Sequence, residues 1–271
     1  MPVDSKRNPR PESSQPYSEF CDPEEEPSPG AGGVRLNGRK DDELRPIYLR
    51  LGTTLHAQGS CYLEMGATKV TAAVYGPREV ARRSEFSTTG QLSCELKFAP
   101  FSCRRRRGYI PDNQERELSQ TLRTAVEPAV CLHEFPKSNV DVFVYVLQDD
   151  GGALAAAVVA VSAALADASV PMYDLVAAAA LRHTAGRDLL DPDSGELAPR
   201  TAAEPSAEHG DVTVGYMPQL QQVTCLYSEG VMSVDALDKS VGALTAACQR
   251  VYGVIRERLL RKARHVVNGN T

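Results

Sequence analysis

Residues 140–176, VDVFVYVLQDDGGALAAAVVAVSAALADASVPMYDLV, constrain the fold more than any other stretch. Residues 140–147 are apolar and β-branched, which suits a strand. Asp149, Asp150, Gly151 and Gly152 then break it. From 153 to 168 nearly every residue is Ala, Val, Leu or Ser, a composition that forms a helix. That helix is apolar almost all round, so it must be buried rather than lie on a surface. Ser169, Val170 and Pro171 end it, and residues 172–180 are expected to form the next buried strand. The unit reads as strand, glycine turn, buried helix, strand.

Two glycines at a helix N-terminus let a backbone or an anion approach closely. The free amides and the helix dipole there favour a phosphate. The same residues also make a tight turn packed in a core. On the residues alone, both readings stand.

The flanking chain reads as a mixed α/β (α+β) domain. Residues 1–34 are rich in Pro, Ser, Glu and Gly, too poor in apolar side chains to offset chain entropy, and read as a disordered tail. The domain is expected over 35–271. Asn37-Gly38 signals a turn, and residues 46–51 a first strand. Residues 59–73 read as a hairpin turning at Gly66-Ala67, with residues 75–78 ending its return strand. Residues 92–98 alternate as a strand. Residues 114–131 form an amphipathic helix that Pro128 bends or ends. Residues 184–210 read as irregular with a short hairpin. Residues 212–216 and 219–227 form paired strands. Ser233 caps a last helix in which Leu237, Val241, Leu244, Cys248, Val251, Ile255 and Leu259 keep the i+3/i+4 rhythm.

Composition narrows the function classes. The 271 residues, 42% of them hydrophobic, can bury a substantial core, and the net charge of −5 does not advertise nucleic-acid binding. Seven cysteines lack any Cys-x-x-Cys pair and several sit in apolar segments, so neither a metal site nor a disulfide framework is expected, and no cofactor. Buried free thiols fit a reducing compartment. No run is apolar enough for a membrane span, so no membrane partner is expected.

Charge is segregated all the same. Arg104, Arg105, Arg106 and Arg107 are consecutive and cannot all pair locally. They read as a solvated loop, either contacting nucleic-acid phosphates or a nuclear-localisation-like or merely basic stretch. Arg82 and Arg83 lie in another polar stretch. The acid clusters at 149–150, 188–193 and 204–211 could bind Mg²⁺, or be solvated. No Gly-x-Ser-x-Gly motif occurs, and no His has a catalytic context.

Taken together, these segments resemble the ribonuclease PH family over about residues 35–265. The likeness rests on RLNGRKDDELRPI at 35–47, GSCYLEMGATKVTAAVYGPREV at 59–80, the arginine-rich loop with EREL at 115–118, and LQDDGGALAAAVVAVSAALADASVPMYDLV at 147–176. It implies a ribonuclease PH-like domain of mixed sheets packed with helices. Members are phosphorolytic 3′-to-5′ exoribonucleases or their inactive relatives in the eukaryotic RNA exosome.

An active member would need an arginine after the glycine turn to hold phosphate, and two carboxylates six residues apart. By the resemblance, Arg116 matches one phosphate-binding arginine, and Asp211 the second acid. Leu154 stands where active relatives have arginine, and Pro205 where the first acid is expected. A catalytically silent exosome ring subunit is therefore expected, with Arg116, Gly151, Gly152 and Asp211 as a vestigial site. The resemblance also implies its partners: other ribonuclease PH-like ring subunits, cap subunits and single-stranded RNA. It implies Arg82, Arg83, Arg104, Arg105, Arg106 and Arg107 along the RNA path, and residence in nucleus, nucleolus and cytoplasm.

Overall fold

A computed structural model describes residues 35, 37–80, 87–103, 106–108, 110, 112–184, 187–197 and 209–268. The proposed tail, Arg82, Arg83, Arg104, Arg105 and Pro205 lie outside the described residues.

Two sheets enclose one buried helix. The first has β1 (Ile47–Leu51), β2 (Gly59–Met65), β3 (Thr68–Glu79), β4 (Gln91–Phe98) and β5 (Ser138–Gln148), in the order β1-β2-β3-β5-β4. All neighbours are antiparallel except β4 and β5, which run parallel. A parallel pair needs a long crossover, and helix α1 (Asn113–Val126) supplies it. The second sheet has β6 (Ala177–Thr184), β7 (Arg187–Leu190), β8 (His209–Met217) and β9 (Gln222–Val231), antiparallel in the order β7-β6-β8-β9.

Helix α2 (Ala153–Asp167) packs against β2 and β3 of one sheet and β6 of the other. Every residue from Leu154 to Leu165 is buried, which explains a helix without a polar face. Its small side chains allow very close approach. A Cβ on Gly59 of β2 would lie 2.3 Å from the Ala164 carbonyl oxygen. Period-2 alternation then buries Val140, Val142, Val144 and Val146 of β5 beneath the helix. The short α3 (Ser194–Leu197) and the long C-terminal α4 (Val234–Val267) complete the fold. Leu244, Cys248, Val251 and Ile255 of α4 are fully buried. Among the described residues no helix is long and apolar enough to cross a membrane.

Several expected boundaries move, among them the strands expected at 212–216 and 219–227, which run over His209–Met217 and Gln222–Val231. β3 runs on through residues 75–78 to Glu79, pairing with Asn139 and Ser138 after a register shift. The strand expected at 172–180 starts at Ala177. Asp174 lies in the loop before it, accepting from its neighbour Leu175 N at 2.7 Å and from Gln219 N at 2.7 Å. Helix α1 stops at Val126, and a 3-10 turn over Glu127–Ala129 carries Pro128.

Candidate functional site

The glycine turn between β5 and α2 is held from beneath by arginine. Gly151 and Gly152 take φ of 88° and 67°, a left-handed conformation that suits glycine. Arg45, 5% exposed, donates Nη1 to the Asp150 carbonyl and Nη2 to the Gly151 carbonyl, each at 2.9 Å. It also grips Asp191 with Nε and Nη2 at 3.0 and 2.7 Å. The Thr68 hydroxyl donates to the Gly151 carbonyl at 2.8 Å and accepts from Asp150 N at 3.2 Å. Ser194 donates to Asp150 Oδ1 at 2.7 Å.

Two further arginines extend this clasp. Arg35 pairs with Glu196 at 2.6 Å and donates to the Leu190 carbonyl, and Arg39 pairs with Asp193 at 2.7 Å. Burial pushes the Glu196 carboxyl up, but the hydrogen bonds from Arg35 and from Asp193 N, together with the Arg35 and Arg39 charges, more than reverse this and leave it below the usual glutamate range. Asp193 stays above the usual aspartate range because burial outweighs Arg39. The acid cluster at 188–193 is thus neither a metal site nor a solvated face. Asp191 and Asp193 pair with arginines, and Asp188 accepts from His183 Nδ1 at 2.6 Å. Arg35, Arg39 and Arg45 are not among the site residues that the sequence motifs mark. The sequence signal is three arginines, with Lys40, within 35–45 and an acid run at 188–196.

In front of the turn lies a cleft of about 380 Å³. Gly151, Gly152, Leu154 and Asp211 all line it, together with Phe98, Gln114, Leu118, Asp149, Leu197 and Tyr227. Leu154, 8% exposed, sits in the first turn of α2. Asp211 of β8 pairs with Arg182 of β6 at 3.6 Å. Its Oδ1 is buried with no hydrogen-bond partner among the described residues. Burial raises its carboxyl above the usual range, with Glu229 adding and Arg182 opposing. No Arg, Lys or His lines this cleft among the described residues.

Arg116 is not at the glycine turn. The α1 side chains on the cleft are Gln114 and Leu118, one helical turn apart. Arg116 lines a separate groove of about 710 Å³ with Ser119, Gln120 and Arg123. The four proposed vestigial residues therefore divide, three on one cleft and one on another.

Arg106 and Arg107 are the described members of the arginine run, and they do adopt a loop. Arg106 is exposed. Arg107 folds back: its guanidinium lies 4.0 Å from the Phe98 ring centre, and it donates to Cys103 Sγ at 3.2 Å and Gln114 Oε1 at 3.0 Å. Among the described residues no group of three His, Cys, Asp or Glu side chains converges on a metal-sized site.

The model of a family described as "3' exoribonuclease family, domain 1" (RNase_PH) matches residues 43–171. The chain is 38% identical over 228 residues to the exosome complex component Rrp41 of Cenarchaeum symbiosum, covering 84% of this chain and 90% of that one. It is 38% identical over 280 residues to the human exosome complex component MTR3, covering 97% of both. Among solved structures, rice Rrp46 superposes with a TM-score of 0.70 at 26% identity, covering 83% of this chain and 100% of that one. An Archaeoglobus fulgidus exosome with RNA bound to the active site shares the fold, with a TM-score of 0.70 at 20% identity, covering 80% and 91%. With 38% identity across nearly the whole described domain, the chain belongs to the ribonuclease PH family of 3′ exoribonucleases.

Proposed function

We propose that this chain is a catalytically silent core-ring subunit of an RNA exosome, of the MTR3 type, supporting 3′-to-5′ processing and turnover of RNA, including rRNA maturation. It contributes ring contacts and part of the RNA path, beside other ribonuclease PH-like subunits and beneath cap subunits. Nucleus, nucleolus and cytoplasm are the compartments where such a subunit works. The likeness to MTR3 along 97% of both chains supports the assignment to a ring.

One observation carries the silence. The cleft at the glycine turn presents Asp149 and Asp211 and no cation among the described residues. Phosphate as attacking nucleophile needs a fixed positive clamp, and transition-state charge on a transferring phosphoryl group is stabilised the same way. Here Leu154 and Gln114 occupy the walls, and Arg45 is consumed beneath the turn. Arg182 pairs with Asp211 from outside the cleft lining, and a cleft that presents carboxylates and no cation of its own disfavours a phosphate.

The rival reading is an active phosphate-dependent exoribonuclease. Asp211, held above its usual range in a cleft, is the feature in its favour. Phosphorolysis of a single-stranded oligonucleotide by the purified ring separates the two, with this subunit as the only intact candidate site. Absence of phosphate-dependent nucleoside diphosphate release is expected. Release abolished by Asp211→Asn would establish the enzyme instead.

A further inference from the structure

The stretch over 98–107 carries two aromatic–arginine pairs, one closed on itself and one open. Arg107 lies over the Phe98 side chain, 4.0 Å from the ring centre, and its backbone N donates to the Pro100 carbonyl at 3.0 Å. That link holds the residue after Pro100 and the residue before Arg107 within about 8 Å of each other at Cα. These two residues are Phe101 and Arg106. Both are exposed, Phe101 at 70%. Among the described residues neither side chain has an ion pair, a ring contact or a hydrogen bond.

Phe101 is held in place by its backbone. It is the third residue of a turn over 99–102, with Pro100 second and Ser102 N donating to the Ala99 carbonyl at 2.9 Å. The turn is tied to residues 146–149 at both ends. Ala99 N donates to the Val146 carbonyl, and Asp149 N donates to the Ser102 carbonyl, each at 2.9 Å. An aromatic side chain turns about two bonds, so fixing it on a ligand costs little entropy.

The hollow of about 570 Å³ beside this stretch is lined by Arg106, Arg107, Asp112 and Glu115. Its two carboxylates are engaged at the start of α1. Asp112 accepts from Asn113 N at 2.7 Å, and Glu115 from Phe98 N at 2.9 Å and Asp112 N at 3.3 Å. The positive end of the helix dipole offsets their charge, which leaves guanidinium charge in excess.

We propose that Phe101 and Arg106 hold one nucleotide of a single-stranded RNA, the base stacked on the Phe101 ring and a phosphate on the Arg106 guanidinium. This rests on the proposed part in an RNA path and adds a base contact that arginines reading phosphates do not supply. An acidic peptide would use Arg106 and leave the aromatic ring in water. An apolar peptide would cover that ring and desolvate Arg106 without a partner. A nucleotide joins a planar apolar face to an adjacent phosphate and meets both. Every base has such a face, so the contact tolerates any sequence.

The test titrates the assembled exosome core with fluorescent octa-adenylate at several salt concentrations. Phe101→Ala should weaken binding about fivefold or more with the salt slope unchanged, and Phe101→Trp should keep it. Arg106→Ala should instead lower the slope by about 1. An abasic phosphodiester octamer should bind the native complex and the Phe101→Ala complex equally. If Arg106→Ala lowers the slope while Phe101→Ala binds octa-adenylate as the native complex does, the RNA path stands and the stack is overturned. If neither substitution changes binding, this loop lies off the RNA path and the proposal falls with that reading. Failure of the complex to assemble with Phe101→Ala would assign the side chain to a protein neighbour and equally overturn the proposal.

Discussion

Arg45 clasps Asp191 through two hydrogen bonds, Nη2 to Oδ1 at 2.7 Å and Nε to Oδ2 at 3.0 Å. Both residues are buried, at 5% and 2% exposure, and the same guanidinium holds two carbonyls of the glycine turn. A cation that could serve a phosphate site is therefore spent on shaping that site's floor.

Replacing Arg45 by Met keeps much of its volume but leaves the Asp191 charge buried without its guanidinium, and each turn carbonyl keeps a single donor, Ser194 N at Asp150 and the Thr68 hydroxyl at Gly151. Breaking one partner of a buried pair costs about 3–5 kcal/mol. Urea denaturation of Arg45→Met should show a loss of that size. A loss below about 1 kcal/mol would mean that water replaces the guanidinium.

At the turn itself, Gly151→Ala should be worse than Gly152→Ala. Both force alanine into the left-handed region, at about 1–2 kcal/mol. A Cβ at Gly151 would also meet the Pro192 carbonyl oxygen at 2.5 Å, whereas at Gly152 the nearest atom is Arg45 Nη2 at 3.2 Å. Midpoint temperatures of the two variants check the order.

Asp211 gives a pH signature. Its pKa is higher in the folded chain than in the unfolded one, so the folded state holds the proton more tightly. The stability this group contributes is present below the unfolded pKa and lost as pH rises through the folded one. Asp211→Asn should therefore raise the melting temperature at pH 7, with the gain shrinking towards pH 4. A gain independent of pH would point to a cause other than ionisation.

Leu154→Ala should cost about 2–4 kcal/mol through a cavity at the first turn of α2. It should leave the RNA-degrading activity of the assembled complex at or near its original level. A loss of phosphate-dependent activity larger than the loss of folded complex would place Leu154 in a working site.

Arg106 and Arg107 should separate in function. Arg106→Glu should weaken RNA binding by the assembled ring and lower its salt slope by about 1 or more, with no change in stability. Arg107→Ala should lower stability by about 1 kcal/mol, because its cation–π contact with Phe98 and its hydrogen bond to Gln114 are lost. Titration of RNA at several salt concentrations, beside thermal melts, reads both.

What the residues determined alone was local. An apolar, β-branched run marked β5, period-2 alternation marked β4 and the return strand of the β2–β3 hairpin, and the all-apolar run marked α2 as a buried helix. The i+3/i+4 rhythm marked α4, and motifs in order marked the family. These follow from backbone periodicity, which neighbouring residues set between themselves. Tertiary structure decided which side chains meet. Gln114 and Arg116 are two residues apart, yet at 3.6 residues per turn they point about 200° apart. Only the packing of α1 against β4 settled that Gln114 faces the glycine turn and Arg116 the β4 edge. Likewise Arg35, Arg39 and Arg45 lie far along the chain from Asp191, Asp193 and Glu196. Desolvation made their pairing obligatory once the fold buried them together, because a buried charge without its partner costs more than the fold can offset.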